Sequence, residues 1–309
     1  MEKMSALAEK AMASGFNLDL VVHDGLVQAK FLVDKIERAK TCAVREDDIF
    51  LCTYPKSGTH WTWEILNMIV AGKAEYTKHW LNSAFLENRT EEELEKMESP
   101  RIIHTHLLPS QMPDAIWTNG CKVIYVHRNP KDCVVSSFSQ LSKQIWGDNP
   151  LQKPTFSGSW ADYLELFHDG YTFAPCGSYF NYRLQMSTLS DTYKGFEVCT
   201  VRYEDMKTDC AREIKRMAEY LGRPLPDQIY RNIAEACSFK NLKNACETFK
   251  DQTYHYKWQD GTSGYFRKGE CGDWKNFFTV AQSERFDKIY EERCSHLSFE
   301  VSREQMRLQ

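Results

Sequence analysis

Apolar residues along the chain gather into short runs, separated by longer stretches in which they recur at helical spacing. Ile49-Phe-Leu-Cys-Thr53 and the segments 101–105, 122–126 and 198–201 read as strands, and most are followed by a segment suited to a helix. Residues 62–71 carry Ile65, Leu66, Ile69 and Val70 in a helical pattern. The stretches 132–141 and 212–221 follow later strands, the second stopped by Gly222 and Pro224, and 283–294 reads as a helix near the C-terminus. Strands alternating with helices predict an α/β chain with a mostly parallel central sheet covered by helices on both faces. Ligands of such sheets collect at the carboxyl ends of the strands, where Lys56, His106 and Arg128 fall.

Length alone allows two domains, at roughly 150 residues each. Yet no Pro/Gly/Ser-rich linker, internal repeat or low-complexity tract divides the 309 residues, so a single domain spanning 1–309 is expected. The longest charge run, Glu91-Glu-Glu, follows Thr90 and ends on Glu93, the spacing of a helix capping box. A net charge of −4 gives no global field for nucleic acid or a membrane surface. The eleven cysteines are scattered, odd in number and without a C-x-x-C pair, which predicts reduced core thiols rather than a disulfide framework or a zinc site. Residues 1–22 lack the uninterrupted apolar core of a signal peptide, and no later run approaches the ~18 apolar residues of a membrane span. A soluble cytoplasmic protein is expected.

The chemistry concentrates in Tyr54-Pro-Lys-Ser-Gly-Thr-His-Trp61, placed between the first of those strands and a helix. Strand, tight loop and helix N-terminus together offer backbone N–H groups to an anion; Gly58 lets the chain approach closely and Lys56 adds a positive charge. The nucleoside-triphosphate loop needs an upstream glycine and a lysine after the last glycine, whereas here lysine precedes the only glycine. The strand 122–126 runs into His127-Arg128-Asn129, and an arginine there suits a bare phosphate better than a magnesium ion. Glu204 and Asp205, after the strand 198–201, leave a metal-binding acid open. In Ile102-Ile-His-Thr-His-Leu107, His104 and His106 share one strand face; no third metal ligand is indicated, and a structural histidine is the plain alternative.

These segments resemble the cytosolic sulfotransferases. The family's 5′-phosphosulfate loop, T-Y-P-K-S-G-T-x-W, is matched by residues 53–61; its 3′-phosphate segment, R-N-x-K-D-x-x-x-S, by Arg128 to Ser136; and its R-K-G-x-x-G-D-W-K segment by Arg267 to Lys275. Three such matches in this order and spacing cover almost the whole chain. The resemblance implies a P-loop-like three-layer fold and a donor, 3′-phosphoadenosine 5′-phosphosulfate, that leaves as adenosine 3′,5′-bisphosphate, with no metal. It places Lys56, Ser57, Gly58, Thr59 and His60 around the 5′ end, and Arg128, Ser136, Arg267, Lys268 and Gly269, with Phe266 beside them, at the 3′-phosphate. Trp61, Tyr203, Cys237, Ser238 and Phe239 fall at adenine positions. The catalytic set it implies is His106 as base, Lys56 beside the bridging oxygen, and Ser136. Phe85, His104, Gln140, Trp146 and Tyr254 fall in segments that line the family's acceptor pocket, as do Phe156 and Trp160, which suits a small phenol, steroid or other alcohol.

Two positions depart from the family pattern. His104 stands where lysine is common, and Cys237 where threonine commonly precedes the Ser-Phe pair; a thiol is the poorer hydrogen-bond partner. Lys275, Thr279, Val280 and Glu284 match the family's K-x-x-x-T-V-x-x-x-E dimer motif, so a homodimer is expected. The rival readings are a nucleotide-dependent kinase and a noncatalytic nucleotide-binding protein on the same fold.

Overall fold

The computed structural model describes residues 2–78, 81–146, 153–171, 176–248, 256–259 and 266–294. Their strands are β1 (Leu20–His23), β2 (Leu26–Ala29), β3 (Ile49–Thr53), β4 (Ile102–Thr105), β5 (Lys122–His127), β6 (Gln144–Trp146), β7 (Val198–Arg202) and β8 (Tyr256–Trp258). By packing, described residues within 1–34, 129–187 and 253–309 form one compact unit, and those within 35–128 and 188–252 form another. The chain passes between the two units repeatedly along its length, so neither is a continuous segment and no linker composition marks a boundary.

The second unit holds a four-stranded sheet in the order β4-β3-β5-β7, and every pairing in it is parallel. Successive strand residues face opposite sides of a sheet, yet every residue of β3 and β4 is buried, so both faces are covered. That is why these strands read as apolar runs rather than alternations; β7, at the sheet edge, alternates buried and half-buried residues. Ile49, Leu51, Ile65, Leu66, Ile69, Ile124, Val126, Ile214 and Met217 form the centre of the core. Burying one such side chain contributes about 1.5–3 kcal/mol. Below the sheet's N-terminal edge, buried Asp48 pairs with Arg101, whose Nε lies 2.7 Å from Asp48 Oδ1.

All four strands anticipated from sequence are present, β3 with the same ends and the other three shifted by a residue at one end. The helices begin two or three residues earlier than periodicity suggests, because their caps lie outside the apolar pattern. Pro130–Leu141 starts on a proline with Asn129 accepting from Lys131 N, and Asp209 caps Cys210–Tyr220. Thr90 and Glu93 form the reciprocal capping box expected of them. The cysteines are free thiols, most of them buried.

In the first unit, β1 and β2 make an antiparallel hairpin turned by Asp24 and Gly25, and β6 pairs antiparallel with β8. Its core includes an aromatic cluster in which Phe16 meets Phe156 at 4.9 Å and Tyr171 at 4.8 Å between ring centroids. Phe156 is fully buried there, and Trp160 packs on Phe138, Phe277 and Phe278. Of these two aromatics, expected to line an acceptor pocket, Phe156 is a core residue and Trp160 is half-buried, because both segments fold back onto the helix Pro130–Leu141.

Candidate active site

The loop after β3 takes its shape from two unusual backbone residues. Lys56 has φ +70°, rare for a residue with a side chain, and Gly58 has φ +104°. Gly58 is also the N-cap of the helix Thr59–Ala71 and offers no side-chain cap, so its first N–H groups face the loop. The helix thus starts three residues before its apolar pattern, on the loop itself. A Cβ on Gly58 would stand 2.8 Å from the Tyr203 ring. Tyr203 in turn meets Trp61 edge-on at 5.4 Å and carries the Arg128 guanidinium over its face at 4.3 Å. Arg128 Nη1 also donates to Lys56 O at 3.0 Å, which joins the end of β5 to the loop. Ser57 is fully buried, and Thr59 Oγ1 lies 2.6 Å from Thr53 Oγ1.

His106 stands just past the end of β4, beside that loop. Its Nδ1 lies 2.8 Å from Thr53 O, and since a carbonyl only accepts, Nδ1 carries the proton and Nε2 keeps a free lone pair. Burial, and then the Lys56 cation, lower its pKa to about 4, although the bond to Thr53 opposes the shift. At neutral pH the ring is neutral and able to take a proton. His104 has a different setting. It is buried, its ring stacks on Phe85 at 4.6 Å with 4° between planes, and its Nε2 donates to Leu81 O at 2.8 Å. Desolvation first, and then His106, push its pKa well below the ordinary range. It is therefore neutral and does not replace the charge of the lysine common at this place. Phe85 also meets His106 edge-on at 5.3 Å.

A model of the sulfotransferase domain matches residues 46–298, more than half of the chain. The chain belongs to the sulfotransferase family. Sulfotransferase 1C2 of Rattus norvegicus is 34% identical over 278 residues, covering 86% of this chain and 89% of the relative. Human sulfotransferase 1E1 is 34% identical over 283 residues, covering 87% and 91%. Among solved structures, mouse sulfotransferase SULT7A1 complexed with PAP superposes with a TM-score of 0.71 at 31% identity, covering 90% of this chain and 95% of that one.

The remaining motif residues of this sulfotransferase lie in the first unit. Arg267 and Lys268 both pair with Asp273, Lys268 Nζ at 2.5 Å from Oδ1, and Asn276 donates to the same oxygen at 2.8 Å. Burial raises the Asp273 pKa, but the hydrogen bonds from Lys268, Arg267 and Asn276 prevail and hold it at about 2. Gly269 and Gly272 have φ of +68° and +82°, and Phe266 is half-buried. Asp132, fully buried in the helix Pro130–Leu141, accepts from Gly272 N at 2.7 Å and from Trp274 N at 3.1 Å. The aspartates of the two motif segments therefore do structural work: Asp132 binds the segments to each other, and Asp273 holds the cations. Ser136 lies on the same helix, 9% exposed, and Gln140 Nε2 donates to Gln144 Oε1 at 2.9 Å.

Among the adenine-site residues, Cys237 turns into the core, its Sγ 3.8 Å from Met68 Sδ, while Ser238 and Phe239 start the helix Phe239–Thr248. His60 approaches Cys246 Sγ at 3.6 Å, and desolvation followed by Lys56 lowers its pKa to about 4. Tyr254 and the side chain of Trp146 lie outside the described residues. Glu204 is buried against Arg202, with Oε2 3.3 Å from Nε, and Asp205 faces the same arginine at 3.7 Å. The two acids left open as metal ligands are thus engaged in ion pairs.

The residues fit the nucleotide that the family uses. The uncapped helix start and Lys56 suit a terminal anion, and Trp61 Nε1, buried with no acceptor among the described residues, suits a ring nitrogen or oxygen. Sequence reading missed Glu87, which touches His106 from 19 positions away and which no local pattern marks. Thr53 was read as the first residue of the loop motif, and its contact with the His106 ring appears only in the structure.

Proposed function

We propose that this sulfotransferase moves a sulfuryl group from 3′-phosphoadenosine 5′-phosphosulfate to the hydroxyl of a small apolar acceptor, with His106 as general base and Lys56 as the cation beside the departing oxygen. The observation that carries the reading is the neutral His106 ring, held through Nδ1 by Thr53 O with Nε2 left to accept. A phenolic acceptor has a pKa near ~10 and is protonated at neutral pH, so the attacking oxygen needs its proton removed. Proton transfer to a positioned base is worth about 10²–10⁴ in rate. The donor, once bound, supplies the sulfuryl group and leaves as adenosine 3′,5′-bisphosphate. Lys56, close enough to depress the His106 pKa, sets its charge where negative charge grows on the leaving phosphate. An anionic donor beside His106 also favours the imidazolium that forms there.

By motif match, Arg128, Ser136, Arg267, Lys268 and Gly269 hold the 3′-phosphate, with Phe266 next to them. Ser57, Gly58, Thr59 and His60 hold the 5′ end, and Trp61, Tyr203, Ser238 and Phe239, with the backbone of Cys237, receive adenine. The PAP complex of the mouse relative supports this nucleotide. Phe85 and His104 present an apolar, uncharged wall to the acceptor. We read 1–309 as one functional domain, since the family match runs through both packing units. A homodimer through Lys275, Thr279, Val280 and Glu284 is supported by their position on a surface strip where Val280 is 76% exposed. A cytoplasmic setting is supported by the reduced thiols; among the described residues no helix is long and apolar enough to cross a membrane.

The test is an acceptor screen with labelled phosphosulfate donor in excess EDTA. Transfer of label to a phenol, steroid or other alcohol is expected. Transfer of phosphate from ATP with magnesium would favour a kinase. Bisphosphate binding without transfer to any of a broad panel of hydroxyl compounds would favour a noncatalytic protein.

A further inference from the structure

Glu87 is 1% exposed and sits in the short helix Leu86–Asn88, close against the C-terminal end of β4. Its Oε1 accepts from the backbone N–H of His106 at 2.7 Å. The residue after the base is held in a similar way, Leu107 N donating to Thr105 Oγ1 at 3.0 Å. Side chains thus receive both backbone N–H groups that follow the last residue of the strand. The segment carrying Glu87 is itself fixed. Arg38 donates to Glu87 O at 3.1 Å and to Arg89 O at 2.8 Å, Lys35 donates to Asn88 Oδ1 at 2.9 Å, and Phe85 forms a parallel bridge with His104.

We propose that Glu87 is a positioning residue for sulfuryl transfer, acting through the backbone of His106 to fix where Nε2 meets the acceptor hydroxyl. The inference rests on His106 being the base. Two anchors are needed because the ring has two degrees of freedom that matter. Thr53 O sets the rotation of the imidazole through Nδ1, and Glu87 sets the place of the Cα from which the ring projects. A base displaced by about 1 Å loses on the order of 10²-fold in rate. Burial pushes the Glu87 carboxyl up to about 8, against the opposing bond from His106 N, so at neutral pH it is an uncharged acid that accepts through one oxygen. Glutamine reproduces that form: one carbonyl oxygen accepting and no net charge.

The experiment compares E87Q, E87M and E87D, each alone and with H106A, reading kcat, acceptor KM, thermal unfolding and bisphosphate affinity. E87Q should keep turnover near the wild-type level. E87M fills the volume without an acceptor, and E87D withdraws the carboxyl by one methylene; both should lose about 10²-fold in kcat with KM and nucleotide affinity little changed. In the H106A background the same substitutions should cost almost nothing further, because their effect passes through the imidazole. Wild-type turnover in folded E87M or E87D overturns the proposal, as does an equal loss with and without His106, which would mark a general structural role. A large loss in folded E87Q also overturns it, and this arm stands even where E87M does not fold. Near-normal turnover in H106A alone would instead remove the base, a failure of the underlying reading that the single variant identifies separately.

Discussion

The loop after β3 and the housing of His106 lie at the ends of the neighbouring strands β3 and β4, and they are built by different means. The loop is a contiguous device. Residues 54–61 carry its chemistry, and its shape comes from positive φ at Lys56 and Gly58 with a helix that opens on an uncapped turn. His106 is held by groups brought from elsewhere: Thr53 on the ring, Glu87 on the backbone, Phe85 edge-on beside it. An anion needs only a concave set of N–H groups and positive charge, which one short segment supplies. A proton acceptor needs a defined tautomer, a defined direction and a setting that keeps it neutral, and these come from several elements.

Three perturbations separate the two devices, and a fourth leaves both intact. The largest effect is expected from H106A, which should lower kcat by roughly 10²–10⁴-fold while bisphosphate affinity, measured by calorimetry, stays close to wild type. The converse holds for R128A. It removes the guanidinium that packs on Tyr203 and bonds Lys56 O, and should weaken bisphosphate binding by about 1.5–3 kcal/mol. Equal affinity for nucleotides with and without the 3′-phosphate in the wild type would break that assignment. G58A should cost roughly 1–3 kcal/mol in nucleotide affinity or stability, because the new Cβ meets a Tyr203 ring already packed between Trp61 and Arg128. If the proposed homodimer forms through Val280, V280E should leave turnover unchanged and shift the monomer–dimer balance toward monomer in sedimentation, since it would set like charges against each other in a self-paired contact.

The pH profile sharpens the contrast further. Only the neutral imidazole accepts a proton, so kcat/KM should fall as pH drops through the folded pKa of His106, and be retained above it. That midpoint is expected at about 4, displaced from the ordinary value of about 6.5 by burial and by Lys56. K56A removes the second cause and should move the acid limb toward higher pH.

The same contrast explains what the sequence made legible. The strand runs stood out because the sheet is buried on both faces, and the phosphate loop because its residues are contiguous. The helix starts were placed late, since Pro130 and Gly58 lie outside the apolar pattern that marks a helix. His106 was found from its position after a strand within a known motif; Glu87 was not, because a lone glutamate 19 residues upstream differs in no local way from the surface glutamates at 91–93. Phe156 was misassigned because aromatic residues in a loop-rich segment read alike whether they face a ligand or a core. The interleaving of the two packing units left no trace in composition, and the first crossing, at 34–35, falls inside the helix Val33–Lys40.

The central claim is that His106 is a neutral base with its proton on Nδ1, and nitrogen-15 chemical shifts of the histidine side chains, assigned by the loss of one set in H106A, test it most directly. The account predicts a neutral Nδ1–H tautomer for His106 at neutral pH, persisting until the solution approaches pH of about 4. An Nε2–H tautomer, or an imidazolium at neutral pH, would contradict it.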